Sequence, residues 1–204
     1  MPESSGRTPM RGPPGILWGF APLIVYAVFA GSSVEQAKIA LLAALVAAVV
    51  AGCHDLPKGR VMAWANLAIF GLPLAALGLF GQAWIISWMN VLVYAGLAAV
   101  AFGSVLARHP FTLQYAREMV PKEIQEHPGF LTANRFMTLA WGAVFAINLG
   151  LSSAAVMGPP GYKGPIVLLT FLVLAAGIAF TLWYPSHVRK RKGAAGDRGG
   201  PGQR

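Results

Sequence analysis

The chain has 204 residues, 56% of them hydrophobic and only 11% charged, with a formal net charge of +9. A soluble domain of that size needs far more polar surface, so composition excludes an ordinary water-soluble globule. One cysteine, Cys53, excludes an internal disulfide and a thiolate metal cluster and reads as a small packed residue.

Residues 1–14 are Pro-, Gly-, Ser- and Arg-rich, have little apolar surface to bury, and read as a disordered tail. A six-helix transmembrane domain is expected over 15–188, and a disordered basic tail over 189–204. Charge-free runs at 12–34, 39–54, 61–107, 136–162 and 164–188 carry the spans, each needing roughly 20 apolar residues. Residues 61–107 are too many for one crossing, and Gly81-Gln82 offers the turn near their middle. The expected helices are about 16–33, 35–53, 61–80, 83–107, 134–157 and 165–184, forming one all-α bundle. Arg7 and Arg11 before the first run also fit a signal peptide cut after Ala30, although the length of that run and Pro22 favour a retained span.

If the islands between runs alternate sides, only Lys38 and Lys163 of the 16 Lys and Arg residues fall on one side. Basic loops stay cytoplasmic, which places both termini inside and makes this a multi-pass membrane protein. The basic residues hug helix ends and the tail and form no soluble face. Anionic headgroups at the cytoplasmic leaflet account for them, and nucleic acid is not expected as a partner.

Within the first and third helices, Pro22 precedes Phe29 and Pro73 precedes Phe80 by the same spacing, which admits parallel repeats over 16–53 and 61–107. Small-residue stripes at Ala40, Ala44 and Ala48, at Ala95, Ala99 and Gly103, and at Gly142, Ala146, Gly150 and Ala154 predict close helix contacts.

No ionisable residue lies mid-span, which lowers the odds of a proton-coupled carrier or a voltage sensor. The polar residues at depth are Asn66, Asn90 and Asn148, which either line a solute path or bond across helices. His54, His109, His127 and His187 fall on the basic side without a ligating pair within one turn, so no metal or other cofactor is expected. His54, His109 and His187 read as helix C-terminal caps.

Polar chemistry concentrates in 108–135, read as two short interfacial helices broken at Pro121 and stopped at Pro128. Gln114, Tyr115, Arg117, Glu118 and Arg135 are its candidate lipid- or partner-binding residues.

Asn134-Arg135 followed by Trp141, Phe145 and Asn148 resembles the penultimate helix of the intracellular septation protein A family, small bacterial inner-membrane proteins. The layout of 62–80, with a short turn and a Trp-containing start to the next helix, is similar too; where the family has Lys-Pro-Thr this chain has Trp88-Met89-Asn90. The resemblance implies a cell-envelope role. The leading expectation is a non-catalytic protein that binds other envelope components. The alternatives are a small permease for a neutral or lipidic solute, with the three asparagines along its path, and an enzyme acting on lipid headgroups through Gln114, Tyr115, Arg117 and Glu118.

Overall fold

The computed structural model describes residues 18–30, 33–82 and 84–197, and side chains as far as Tyr184 with Pro160 excepted. All regular structure among them is helical, in the order α1 Ala21–Phe29, α2 Val34–Gly52, α3 Val61–Phe80, α4 Trp84–Leu106, α5 Phe111–Ala116, α6 Lys122–Gln125, α7 Pro128–Met157 and α8 Lys163–Asp197. Five of these, α2, α3, α4, α7 and Lys163–Tyr184 of α8, are long and apolar enough to cross a membrane. The chain is an all-helical, multi-pass membrane protein.

The expected first span of 16–33 is not found at that length. Helix α1 has nine residues, about 14 Å of rise, against the roughly 30 Å of a hydrocarbon core. Gly19 and Phe20 form a turn before it, and Pro22 sits in its first turn, where a missing N–H costs nothing. The tail expected at 1–14 lies outside the described residues, as do 198–204. Residues 189–197, expected as tail, continue α8.

The core is built from one face of each helix. Ala40, Ala44 and Ala48 of α2 are buried as their spacing requires, letting α1 and α3 close on either side. The α4 stripe behaves otherwise: Ala99 and Gly103 face outward, and Gly96, Ala98 and Ala101 make the contacts. A methyl added at Gly96 would lie 2.8 Å from Ile69, which measures how closely α3 and α4 approach. On α7 only Gly142 of its stripe is buried, with a would-be methyl 2.9 Å from the Phe102 ring. Phe20 stacks on Trp141 at 4.5 Å, so the start of α1 closes the bundle against α7. Helix α8 leans on α7 through Trp141 Nε1, which donates to Thr181 Oγ1 at 3.0 Å, and through Phe136, which meets Phe180 and Tyr184, while most of Lys163–Tyr184 is exposed to what would be lipid.

The Gly81-Gln82 turn is where the sequence places it, with Gly81 in the left-handed region (φ 61°) that ends helices cheaply. Pro128 corrects an expectation. It begins α7 instead of stopping a helix, because the amide it lacks would be orphaned there anyway, and His127 Nδ1 accepts from Gly129 N at 3.1 Å to complete the cap. Helix α7 therefore has 30 residues, about 45 Å, and its first turns stand beyond any hydrocarbon core.

Candidate functional site at the basic end

The end of α2, the start of α3, the end of α4 and the start of α7 meet at one end of the bundle, together with Lys58, Arg60, Arg108, Arg117, Lys122 and Arg135. The opposite end carries Lys38, paired with Glu35 at 3.3 Å, and Lys163. Trp18, Trp64 and Trp183 stand exposed near the basic end, and Trp84 and Trp88 at the other, as two interfacial belts would.

The segment 108–126 is not a strap lying loosely across that end. Helix α4 stops in a double turn, with Arg108 N on Val105 O (3.0 Å) and His109 N on Ser104 O (2.9 Å). Arg108 takes the left-handed position (φ 61°) that glycine usually fills there. The chain then folds back. Phe111, Leu113 and Tyr115 are all buried, Phe111 completely. Ser104 Oγ accepts from Phe111 N at 3.2 Å, and Thr112 Oγ1 donates to Asn134 O at 2.8 Å while lying 2.7 Å from Thr138 Oγ1. Gln114 Oε1 accepts from Val61 N at 3.1 Å, satisfying an orphan amide of the first turn of α3. Helix α5 is a plug stitched to α3, α4 and α7.

Arg60 anchors the plug. Its residue is 7% exposed. One guanidinium nitrogen meets Asp55 Oδ1 at 2.9 Å, another meets Glu118, and the plane lies 4.6 Å over the Tyr115 ring. Burial opposes the Arg60 charge, but the hydrogen bond to Glu118 and the fields of Asp55 and Glu118 outweigh it and raise its pKa. The Arg60 hydrogen bond, with help from Lys58 at 3.0 Å, holds the Glu118 carboxyl below its usual range despite some burial. Burial, then the Asp55 charge, pushes the Tyr115 phenol well up, with Arg60 pulling the other way.

Beside this anchor opens a cleft of about 380 Å³. Lys58, Arg60, His109, Gln114, Arg117 and Glu118 supply its polar wall, and Pro110 and Leu113 part of its apolar one. Arg117 Nη2 donates to Glu126 at 3.1 Å, while its Nε–H finds no acceptor.

Of the residues singled out from sequence, Gln114, Arg117 and Glu118 thus share one cleft, and Tyr115 lies buried under Arg60. Arg135 is exposed on α7 and does not line the cleft. The asparagines do not come together. Asn66 Nδ2 donates to Gly19 O at 2.8 Å, Asn90 is exposed, and Asn148 is fully buried, its Nδ2 on Val144 O at 3.0 Å and its Oδ1 without a partner. Cys53, expected to be packed, is exposed beside His54. Asp55, Lys58 and Arg60 were missed as site residues, although three charges crowded between two apolar runs were a signal. Thr112 and Thr138 gave none.

The chain matches no protein-family model, no curated protein and no solved structure.

Proposed function

We propose that this is a non-catalytic binding protein of a bacterial inner membrane, with both termini and the basic end in the cytosol, which holds other envelope components at that end. The plug carries the reading. It is a platform tied to three spans by hydrogen bonds, that to α4 buried, that leaves Lys122, Glu123 and Glu126 exposed and Arg117 partly so. A fixed array of exposed charges suits recognition of a partner's juxtamembrane segment, because little ordering entropy is lost on contact. Arg108, Lys122 and Arg135 on its margins add a general attraction to anionic headgroups of about 1 kcal/mol each.

Turnover is the weaker reading because the polar groups are already occupied. Asp55 and Glu118 are held by Arg60 and Lys58, Gln114 caps α3, and Tyr115 is buried with its proton held tightly. A general base would need a carboxylate that is free to take a proton near neutral pH. The separation of Asn66, Asn90 and Asn148 likewise gives a permease path no support.

Membership of the intracellular septation protein A family belongs to this proposal too. Its support is Asn134-Arg135, Trp141, Phe145 and Asn148, of which the last three share the buried face of α7. Crosslinking in native membranes tests the partner reading. The wild-type chain should capture defined envelope proteins, and Arg117→Ala or Glu118→Ala should release them. Crosslinks to lipid alone, or identical captures by both variants, would refute it.

A further inference from the structure

The cleft beside Arg60 has a chemistry the platform does not need. Its wall combines groups from four separate segments: Lys58 from the α2–α3 loop, His109 from the turn after α4, Gln114 from the plug, and Arg117 from the turn after the plug. These are overwhelmingly donors. Gln114 has spent its oxygen on Val61 N, so its amide N–H groups are what it has left to offer. Arg117 uses Nη2 on Glu126 and has its unpartnered Nε–H shut off from solvent, so the rest of its fork is what it offers the cleft. Glu118, the one carboxylate of the wall, already holds Lys58 and Arg60.

A donor-lined cleft with more cations than anions calls for an oxyanion. Donors drawn from four segments around one cleft suit a tetrahedral group with several terminal oxygens better than a planar carboxylate with two. Pro110 and Leu113 on the same wall offer an apolar surface to whatever carries the anion. The volume, about 380 Å³, is that of a small-molecule site. Trp64, exposed on the first turn of α3 beside Arg60, sets the depth at the interface where phosphate headgroups lie.

We propose that the cleft between Lys58, Gln114 and Arg117 is a binding site for a phosphate ester, supplied by a lipid headgroup or by a soluble phosphorylated metabolite. Arg60 and Glu118 form its back wall and do not move; Lys58 and Arg117 make the charged contacts. The site deepens the headgroup attraction proposed above and rests on it only for the membrane setting, since a general surface attraction would not distinguish cleft cations from marginal ones.

The test uses the full chain in detergent. Dilauroyl phosphatidylglycerol is titrated with adducts counted by native mass spectrometry, and glycerol 3-phosphate is titrated by calorimetry. Lys58→Gln and Arg117→Gln should each weaken the bound probe about tenfold, the effect of one charge-assisted hydrogen bond. Lys58 is half exposed, so its variant keeps the fold even if Arg117→Gln does not. Lys122→Gln, outside the cleft, should stay within about twofold of wild type. Saturable binding of lipid alone assigns the site to headgroups, and saturable binding of glycerol 3-phosphate assigns it to a soluble phosphate; both keep the oxyanion site. Failure of the wild-type chain to bind either probe overturns it. So does unchanged affinity in Lys58→Gln, or an equal loss in Lys122→Gln. Crosslinked partners retained while the probes fail would leave the partner reading standing without this site.

Discussion

The Arg60 guanidinium lies 4.6 Å over the ring of Tyr115, 55 positions further along the chain, and the two residues are the point where the α2–α3 loop and the plug become one body. The contact works because Asp55 and Glu118 neutralise the cation from either side. An arginine fork can serve two carboxylates and an aromatic face at once, which the point charge of a lysine cannot do.

That geometry ranks the two carboxylates. The Asp55 side chain is 18% exposed and Glu118's is 54% exposed. Asp55→Asn should therefore destabilise the protein by about 3 kcal/mol, the cost of leaving a buried charge half-paired. Glu118→Gln should cost less than about 1 kcal/mol, since its charge is shared with water. Thermal unfolding of both variants in the same detergent checks the order, and a Glu118 effect as large as that of Asp55 contradicts it.

Acid should weaken the anchor through Glu118. Its pKa is lowered by the Arg60 hydrogen bond and then by Lys58, so the carboxylate is favoured in the folded state. The resulting stability is fully present above the ordinary carboxyl pKa, about 4.3, and disappears as pH falls through the lower folded value. The melting temperature should be level from pH 7 to about pH 5 and then fall. Glu118→Gln should show a shallower acid limb, and an unchanged limb would remove Glu118 from the account.

The spans and the Gly81-Gln82 turn were legible because apolar run length and glycine chemistry are local signals. The Arg60 anchor was not, because an ion pair between the start of α3 and a residue 58 positions later leaves no periodicity to read. Pro128 was misread because proline fits both just beyond one helix and in the first turn of the next, and His127 as a cap is what decides. Alanine was too abundant in α4 for its inward face to be picked out: Ala95 and Ala99 repeat as regularly as Ala98 and Ala101, and which pair is buried depends on where the neighbouring helices lie. The turn at Gly19 and Phe20 was not legible, because it falls inside a long apolar run.

The Thr112–Thr138 pair should behave as a unit. Thr112→Val leaves the buried Thr138 hydroxyl and the Asn134 carbonyl without this partner, at a cost of about 1–3 kcal/mol. Thr112→Val with Thr138→Val should cost less than the two single changes added, because the second change removes a group the first had stranded. Additive losses in a double-mutant cycle would mean that the two hydroxyls do not support one another.

Asn66 and Asn148 should respond differently to leucine. Asn66 carries the 2.8 Å bond that pins Gly19 to α3, so Asn66→Leu should lose about 1 kcal/mol. Asn148 keeps a fully buried oxygen with no partner, and its amide bonds only within α7. Asn148→Leu removes that unsatisfied oxygen and should be neutral or stabilising in thermal unfolding. Destabilisation by both would assign Asn148 a partner that bonds across the bundle.

Cys53 supplies the test of orientation without any engineering. It is the only cysteine in the chain, and it is exposed at the end of α2 on the basic end. With that end in the cytosol, a membrane-impermeant maleimide should fail to label intact spheroplasts and should label inverted vesicles. The contrast does not depend on how many times α1 crosses, because Cys53 lies beyond it in the loop shared by α2 and α3. Labelling of intact spheroplasts would place the basic end outside, against the direction in which Lys- and Arg-rich loops are retained.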